Sequence, residues 1–169
     1  PISWDEYLAL GEKLKEKGHM LQTYNPNDIA EFQIMLQPTG KWFTDNDGNA
    51  DFTNNDALKE CYDVFKKLNE SDFCQVVSDW TGFAGAINNG DVACVMRGSW
   101  ITSTIMGADD QSGKWKMAPI PKMSTDGATH YSNQGGSSWF VLKNSKNADA
   151  AAKFLADTFG GSTELYDSL

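Results

Sequence analysis

The chain has 169 residues, 40% of them apolar and 22% charged, which is the balance of a soluble globular fold with one well-buried core. A formal net charge of -9 and a pI near 4.5 exclude a nucleic-acid or anionic-membrane surface, because both need clustered Lys and Arg against phosphate. The longest basic cluster is Lys66-Lys67, and no stretch reaches the roughly 20 apolar residues of a membrane span.

In chain order, Ser3 and Glu6 form a capping box, with Ile2 and Tyr7 as its hydrophobic staple, and predict a helix from about Trp4 to Lys17 closed by Gly18. His19 to Tyr24 reads as a strand running into the turn residues Asn25-Pro26-Asn27-Asp28, and a second helix spans about Ile29 to Leu36. Asp45-Asn46-Asp47-Gly48-Asn49 places oxygens at alternate positions, but Ala50 and Asp56 stand where an EF-hand loop needs Gly and Glu, so a tight turn on Asp47-Gly48 is expected. Leu58, Tyr62, Phe65 and Leu68 then recur at helical spacing behind a cap near Thr53 to Asn55. Thr81 is placed to cap a short helix carrying Phe83, Ala84 and Ile87, which closes at Asn89-Gly90. Asp91 to Met96 reads as a buried strand, and another helix starts at Trp100. Trp115 to Ile120 and Ser137 to Leu142 are expected strands, and Asn147 caps a last helix that ends at Gly160-Gly161. Helices and strands alternate, helix outnumbering short strands, so the fold class is α/β.

Catalytic signatures are weak. The two histidines, His19 and His130, read as surface residues, and no serine sits in a nucleophile elbow. No acidic pair stands on an apolar strand end, and there is neither a phosphate loop nor metal-ligand spacing. Neither a cofactor nor a metal is therefore expected. Cys94 reads as a small core residue, while Cys61 and Cys74 are candidates for pairing in an oxidising compartment. The positive signal is aromatic: among six tryptophans, Trp42 lies in a turn, Trp80 before a helix cap and Trp100 at a helix start. An indole covers the C–H face of a pyranose while Asn and Asp at the rim bond its hydroxyls, and about 100 Å² of such contact contributes about 2.5 kcal/mol. The competing reading is that these tryptophans pack the core, as Trp4, Trp115 and Trp139 are expected to do.

Phe83-x-x-x-Ile87-x-x-Gly90-Asp91-Val92-Ala93-Cys94-Val95-Met96-Arg97-Gly98-Ser99-Trp100 resembles the F-x-x-G-x-x-A-M-x-x-x-G-x-W stretch of family 1 extracellular solute-binding proteins, the group that includes maltose-binding protein. Four further segments agree in order. Ile2 to Tyr7 resembles T-W-D-E-F, and Gly40-Lys41-Trp42-Phe43 with Asp47-Gly48 resembles G-x-W-x-x-x-x-G. Trp115 to Pro121 is similar to W-x-x-A-P-L-P, and Gly135-Gly136 through Phe154 to G-G-x-x-x-x-I-x-x-x-S-K-N-x-x-A-A-x-x-F.

The resemblance implies a periplasmic-binding-protein-like type II lobe, incomplete, taken from a two-lobed receptor that closes on its ligand and presents it to a membrane permease. Residues 1–134 would be the bulk of the second lobe. Residues 135–160 would be a hinge return normally belonging to the first lobe, and 161–169 the start of a truncated helical segment. Trp100 would stack on sugar, with Trp80, Trp42, Asn25, Asn27 and Asp28 around it and Gly135 and Gly136 at the hinge return. The expected ligand is a sugar or oligosaccharide, the expected partner an ATP-driven (ABC) importer, and the location extracellular or periplasmic with a lipoprotein anchor. The abrupt start on a helix signal reads as an excised fragment, whose strand at 137–142 would be free to self-associate through its edge. A carbohydrate-binding module or a piece of a glycoside-processing enzyme is the alternative.

Overall fold

Ser3 Oγ accepts from Glu6 N at 3.2 Å and Glu6 Oε2 accepts from Ser3 N at 2.7 Å, so the expected capping box forms and starts α1 (Trp4–Lys15). The computed structural model describes residues 2–168. After α1 come β1 (Gln22–Tyr24), α2 (Ala30–Leu36), α3 (Asp56–Glu70), β2 (Cys74–Val76), α4 (Trp80–Asn88), α5 (Thr102–Ile105), α6 (Ala148–Asp157) and α7 (Thr163–Asp167). The structure is helix-rich with few strands.

β1 and β2 pair in parallel, Gln22 opposite Cys74 and Tyr24 opposite Val76. On the other side of β1 an isolated parallel bridge joins Met20 to Val92, and Cys94 N donates to Leu21 O at 2.8 Å. The strand expected at 91–96 is not formed; only residues 92–94 pair with this side of the sheet, through that bridge and the hydrogen bonds of Ala93 N and Cys94 N. The strand expected at 19–24 is shorter at its start, and β2 was not foreseen. All three segments run the same way, so their carboxyl ends, at Tyr24, Val76 and Met96, share one edge.

Two apolar clusters enclose this pairing. In the first, Trp4 and Tyr7 of α1, Ile34 and Leu36 of α2, and Leu58, Cys61, Val64 and Leu68 of α3 meet Leu21, Phe73 and Met96. In the second, Phe83, Ala86 and Ile87 of α4 pack with Val77, Val92 and Ile101. The 91–96 segment serves both without regular strand alternation: Val92 and Val95 pack in the second cluster, Cys94 and Met96 in the first. Gly11 lets α1 lie against Phe73, since a Cβ there would fall 2.5 Å from the ring. The loop before α3 is a turn, with Gly48 at φ 83°, and the Asp45 carboxylate accepts from the backbone N–H of Asp47 and Asn49; these bonds hold its pKa below the usual carboxylate range.

Some expectations need correction. The cap of α4 is Asp79, not Thr81, with Asp79 Oδ1 accepting from Gly82 N at 2.8 Å. Residues 115–120 and 137–142 form no strand. Trp115 instead donates through Nε1 to Gln111 Oε1 at 2.6 Å. At 137–142 the backbone adopts no strand, and Trp139 and Phe140 are exposed, so the strand edge on which self-association was expected is not formed. Asn147 precedes α6 but its side chain makes no capping bond. His130 is half-buried, its Nδ1 2.9 Å from Ile120 O. Cys61 and Cys74 are free and buried, and burial pushes the Cys61 thiol up to about 12.

The chain divides into two units, Pro1–Gln134 and Gly135–Leu169. The first contains both clusters. Within the second, α6 and α7 bury no side chain, Trp139 stacks on Phe159 with centroids 4.7 Å apart, and Tyr166 Oη donates to Phe159 O.

Candidate functional site

Ligands of parallel α/β sheets bind beyond the carboxyl ends of the strands, where the chain turns and backbone groups are free. Three sequence-predicted site segments leave this edge: the turn at Asn25 to Asp28 after β1, Trp80 four residues after β2, and Trp100 after the 91–96 segment. Each is shaped locally. Asn25 Oδ1 accepts from Asn27 N at 2.9 Å and closes the turn, while Asp28 Oδ1 accepts from Ala30 N at 2.8 Å and starts α2. Trp80 is the first residue of α4, one helical turn before Phe83, and the two rings stack with centroids 5.6 Å apart and planes 14° apart.

Trp80 and Trp100 come together. Their ring centroids lie 5.7 Å apart with planes tilted by 46°, and they are 50% and 45% exposed, whereas Trp4 in the core is 3% exposed. The Trp100 indole is tied at its edge: Nε1 donates to Gln134 O at 3.3 Å, and Gln134 Oε1 accepts from Gly98 N at 2.9 Å. Gly98 is obligatory here, because a Cβ would meet Gln134 O at 2.4 Å and the Trp100 ring at 2.7 Å. The 132–134 segment is held in turn by Gln37, whose Oε1 accepts from Ser132 Oγ and Asn133 N. The result is an aromatic wall with an amide-rich rim.

Arg97 links this wall to the 25–28 turn. Its guanidinium carbon sits 4.4 Å from the Phe83 ring centre. Nη1 donates to Met96 O at 2.9 Å and pairs with Glu31 Oε1 at 2.5 Å, and Nη2 reaches Asp28 Oδ2 at 3.4 Å. The side chains of Arg97 and Glu31 are both 4% exposed. Burial pushes the Glu31 carboxyl above the usual range, against the pull of Arg97, and among the described residues Oε2 has no hydrogen-bond partner. Arg97, Glu31, Gly98 and Gln134 were not singled out from the sequence. A signal existed for two of them: Glu31 is the one charge in the apolar run Ala30 to Leu36, and Arg97 ends the apolar run 92–96, so each calls for a buried counter-charge.

Trp42 goes elsewhere. Its ring packs on Phe43 at 4.8 Å, and its carbonyl accepts from Asn55 Nδ2 at 2.8 Å, the same Asn55 that caps α3. Among the described residues no ring contact joins Trp42 to Trp80 or Trp100. Gly135 and Gly136, with φ of 124° and 93°, open the second unit in a backbone region that suits glycine. No group of three or more His, Cys, Asp or Glu side chains among the described residues is placed to hold a metal ion. Likewise, no described helix is long and apolar enough to cross a membrane.

A profile of the bacterial extracellular solute-binding protein family matches residues 1–165. The chain belongs to this family. Over 169 residues it is 36% identical to a lactose-binding protein of Rhizobium radiobacter, which covers 99% of this chain and 40% of the relative. It is 25% identical over 175 residues to an arabinooligosaccharide-binding protein of Bacillus subtilis (strain 168), with the same shares of 99% and 40%. The chain therefore spans about 40% of the length of these solute-binding relatives. No solved structure matches.

Proposed function

We propose that this solute-binding chain carries one wall of a sugar trap, and that Trp100 and Trp80 are the platforms on which sugar rings lie. The observation that carries the reading is the tilted, half-exposed indole pair at the carboxyl edge of the parallel strands. Fully apolar packing would have hidden these rings as it hides Trp4. The Asn25–Asp28 turn and Gln134 supply the polar rim, and Asn27 is exposed there. Two indoles that each cover about 100 Å² of C–H surface contribute about 5 kcal/mol together, enough with rim hydrogen bonds for micromolar affinity.

In the full-length protein, residues 1–134 form the bulk of a type II second lobe, 135–160 the hinge return with Gly135 and Gly136, and 161–169 the start of a further helical segment. Ligand is held by closure of this lobe against another, and the closed form is read by the permease of an ATP-driven sugar importer. The protein works outside the cytoplasmic membrane, held by a lipid anchor. The lactose and arabinooligosaccharide relatives support neutral sugars of more than one ring. The wall agrees, because Arg97 is buried between two carboxylates and offers no cation to an acidic sugar. An enzymatic role is disfavoured: the carboxyl whose pKa is raised, Glu31, is buried against Arg97 and out of reach of a glycosidic oxygen.

Calorimetric titration of the full-length protein with lactose and with arabino-oligosaccharides tests this. Saturable binding with unchanged sugar recovered afterwards is expected. Release of reducing ends in proportion to protein would replace the receptor with a glycoside-processing enzyme.

A further inference from the structure

The Arg97 side chain is nearly inaccessible, yet it contacts Phe83 behind Trp80, Asp28 of the 25–28 turn and Glu31 of α2. Its planar guanidinium lies over Phe83, on which Trp80 stacks, so it backs one platform. Its nitrogens reach Asp28, whose other oxygen fixes the entry to α2, and so it fixes the polar turn. Nη1 is bonded to the carbonyl of Met96 and paired with Glu31, which holds the chain that leads through Gly98 into Trp100. Among the described residues the second Glu31 oxygen has no hydrogen-bond partner, so the carboxylate is committed to this contact. Such a buried pair returns little net stability, because desolvating two charges offsets most of their attraction. What it does provide is orientation. A fork with several fixed donors and a flat face can hold three elements at once, which a lysine ammonium on a flexible stem cannot.

On the reading of the wall as a sugar platform, we propose that Arg97 is its positioning residue: it sets the mutual angle of Trp80 and Trp100 and holds the 25–28 turn, without touching the ligand. The expectation is that ligand affinity depends on the guanidinium more than the fold does. Removing Arg97 alone would strand the Glu31 carboxylate, so the informative variant is Arg97→Met with Glu31→Gln, which deletes both charges. Arg97→Lys is its companion, keeping the charge and losing the fork.

The structural readout is the exciton couplet of the indole pair, taken as the part of the circular dichroism that Trp80→Phe removes from the full-length protein. We expect both variants to keep the wild-type helical signal and to lose the couplet. They should bind lactose or arabino-oligosaccharide, whichever the wild type takes, about tenfold more weakly. A folded double variant that retains the couplet overturns the proposal, as does loss of the couplet with unchanged affinity. Should the wild type bind neither sugar, the sugar reading falls while the couplet still decides the role of Arg97.

Discussion

Two groups of aromatic side chains in the first unit meet different fates. Phe32 lies 9% exposed at the centre of one group, stacked with Phe43 at 5.9 Å and edge-on to Phe65 at 5.4 Å, which in turn meets Tyr24. In the other, Trp80 and Trp100 lean together with nearly half of each residue open to solvent. The first group is enclosed by helices and contributes by burial. The second is held only from below and at the edge, by Phe83, Arg97 and the Gln134 carbonyl, so that apolar faces stay available. Aromatic side chains thus serve stability where all sides are packed and, in the function proposed above, recognition where one side is left open.

Breaking the core group should cost stability above all. Phe32→Ala is expected to lower unfolding free energy by about 3 kcal/mol or more, measured by denaturant titration. Breaking the wall from within should do the reverse. Gly98→Ala forces Gln134 off its seat, so we expect about 1–2 kcal/mol of lost sugar affinity and a shifted tryptophan emission, with a smaller change in unfolding. The smallest effect concerns the charge behind the wall. The folded pKa of Glu31 is raised above its ordinary 4.5, so the native state holds this proton to higher pH than the unfolded chain does. Its contribution to stability is fully present below pH 4.5 and declines as pH rises through the folded value. Glu31→Gln should remove that declining limb from the stability profile, and an unchanged profile would show that Glu31 does not titrate there.

Much of the first unit was legible. Helix starts are written locally, and Ser3 with Glu6 and Asn55 with Leu58 form the capping bonds their spacing demands. Strands were harder, because their pairing depends on a partner far along the chain. The three residues of β2 have no pattern of their own and exist through β1. The apolar run at 137–142 has the pattern but forms no strand. The second unit teaches the same lesson for helices: α6 is amphipathic, yet none of its residues is buried. Of the candidate site, the half-exposed placement of Trp80 and Trp100 was readable from their positions at element ends. Their supports were not, because Glu31 and Arg97 meet across a long stretch of sequence and Gln134 sits in a segment that reads only as polar loop. Trp42 shows the limit of position as a guide, since its loop carries it to Phe43 rather than to the other two indoles.

The most direct test removes one platform. Trp100→Ala in the full-length protein, titrated with lactose or arabino-oligosaccharide by calorimetry, should lose at least ~1.5 kcal/mol of affinity while its melting temperature stays nearly unchanged. Trp42→Ala, as the control from outside the wall, should change affinity by less than about 0.5 kcal/mol. Wild-type affinity in Trp100→Ala would contradict the account and return Trp100 to the packing residues.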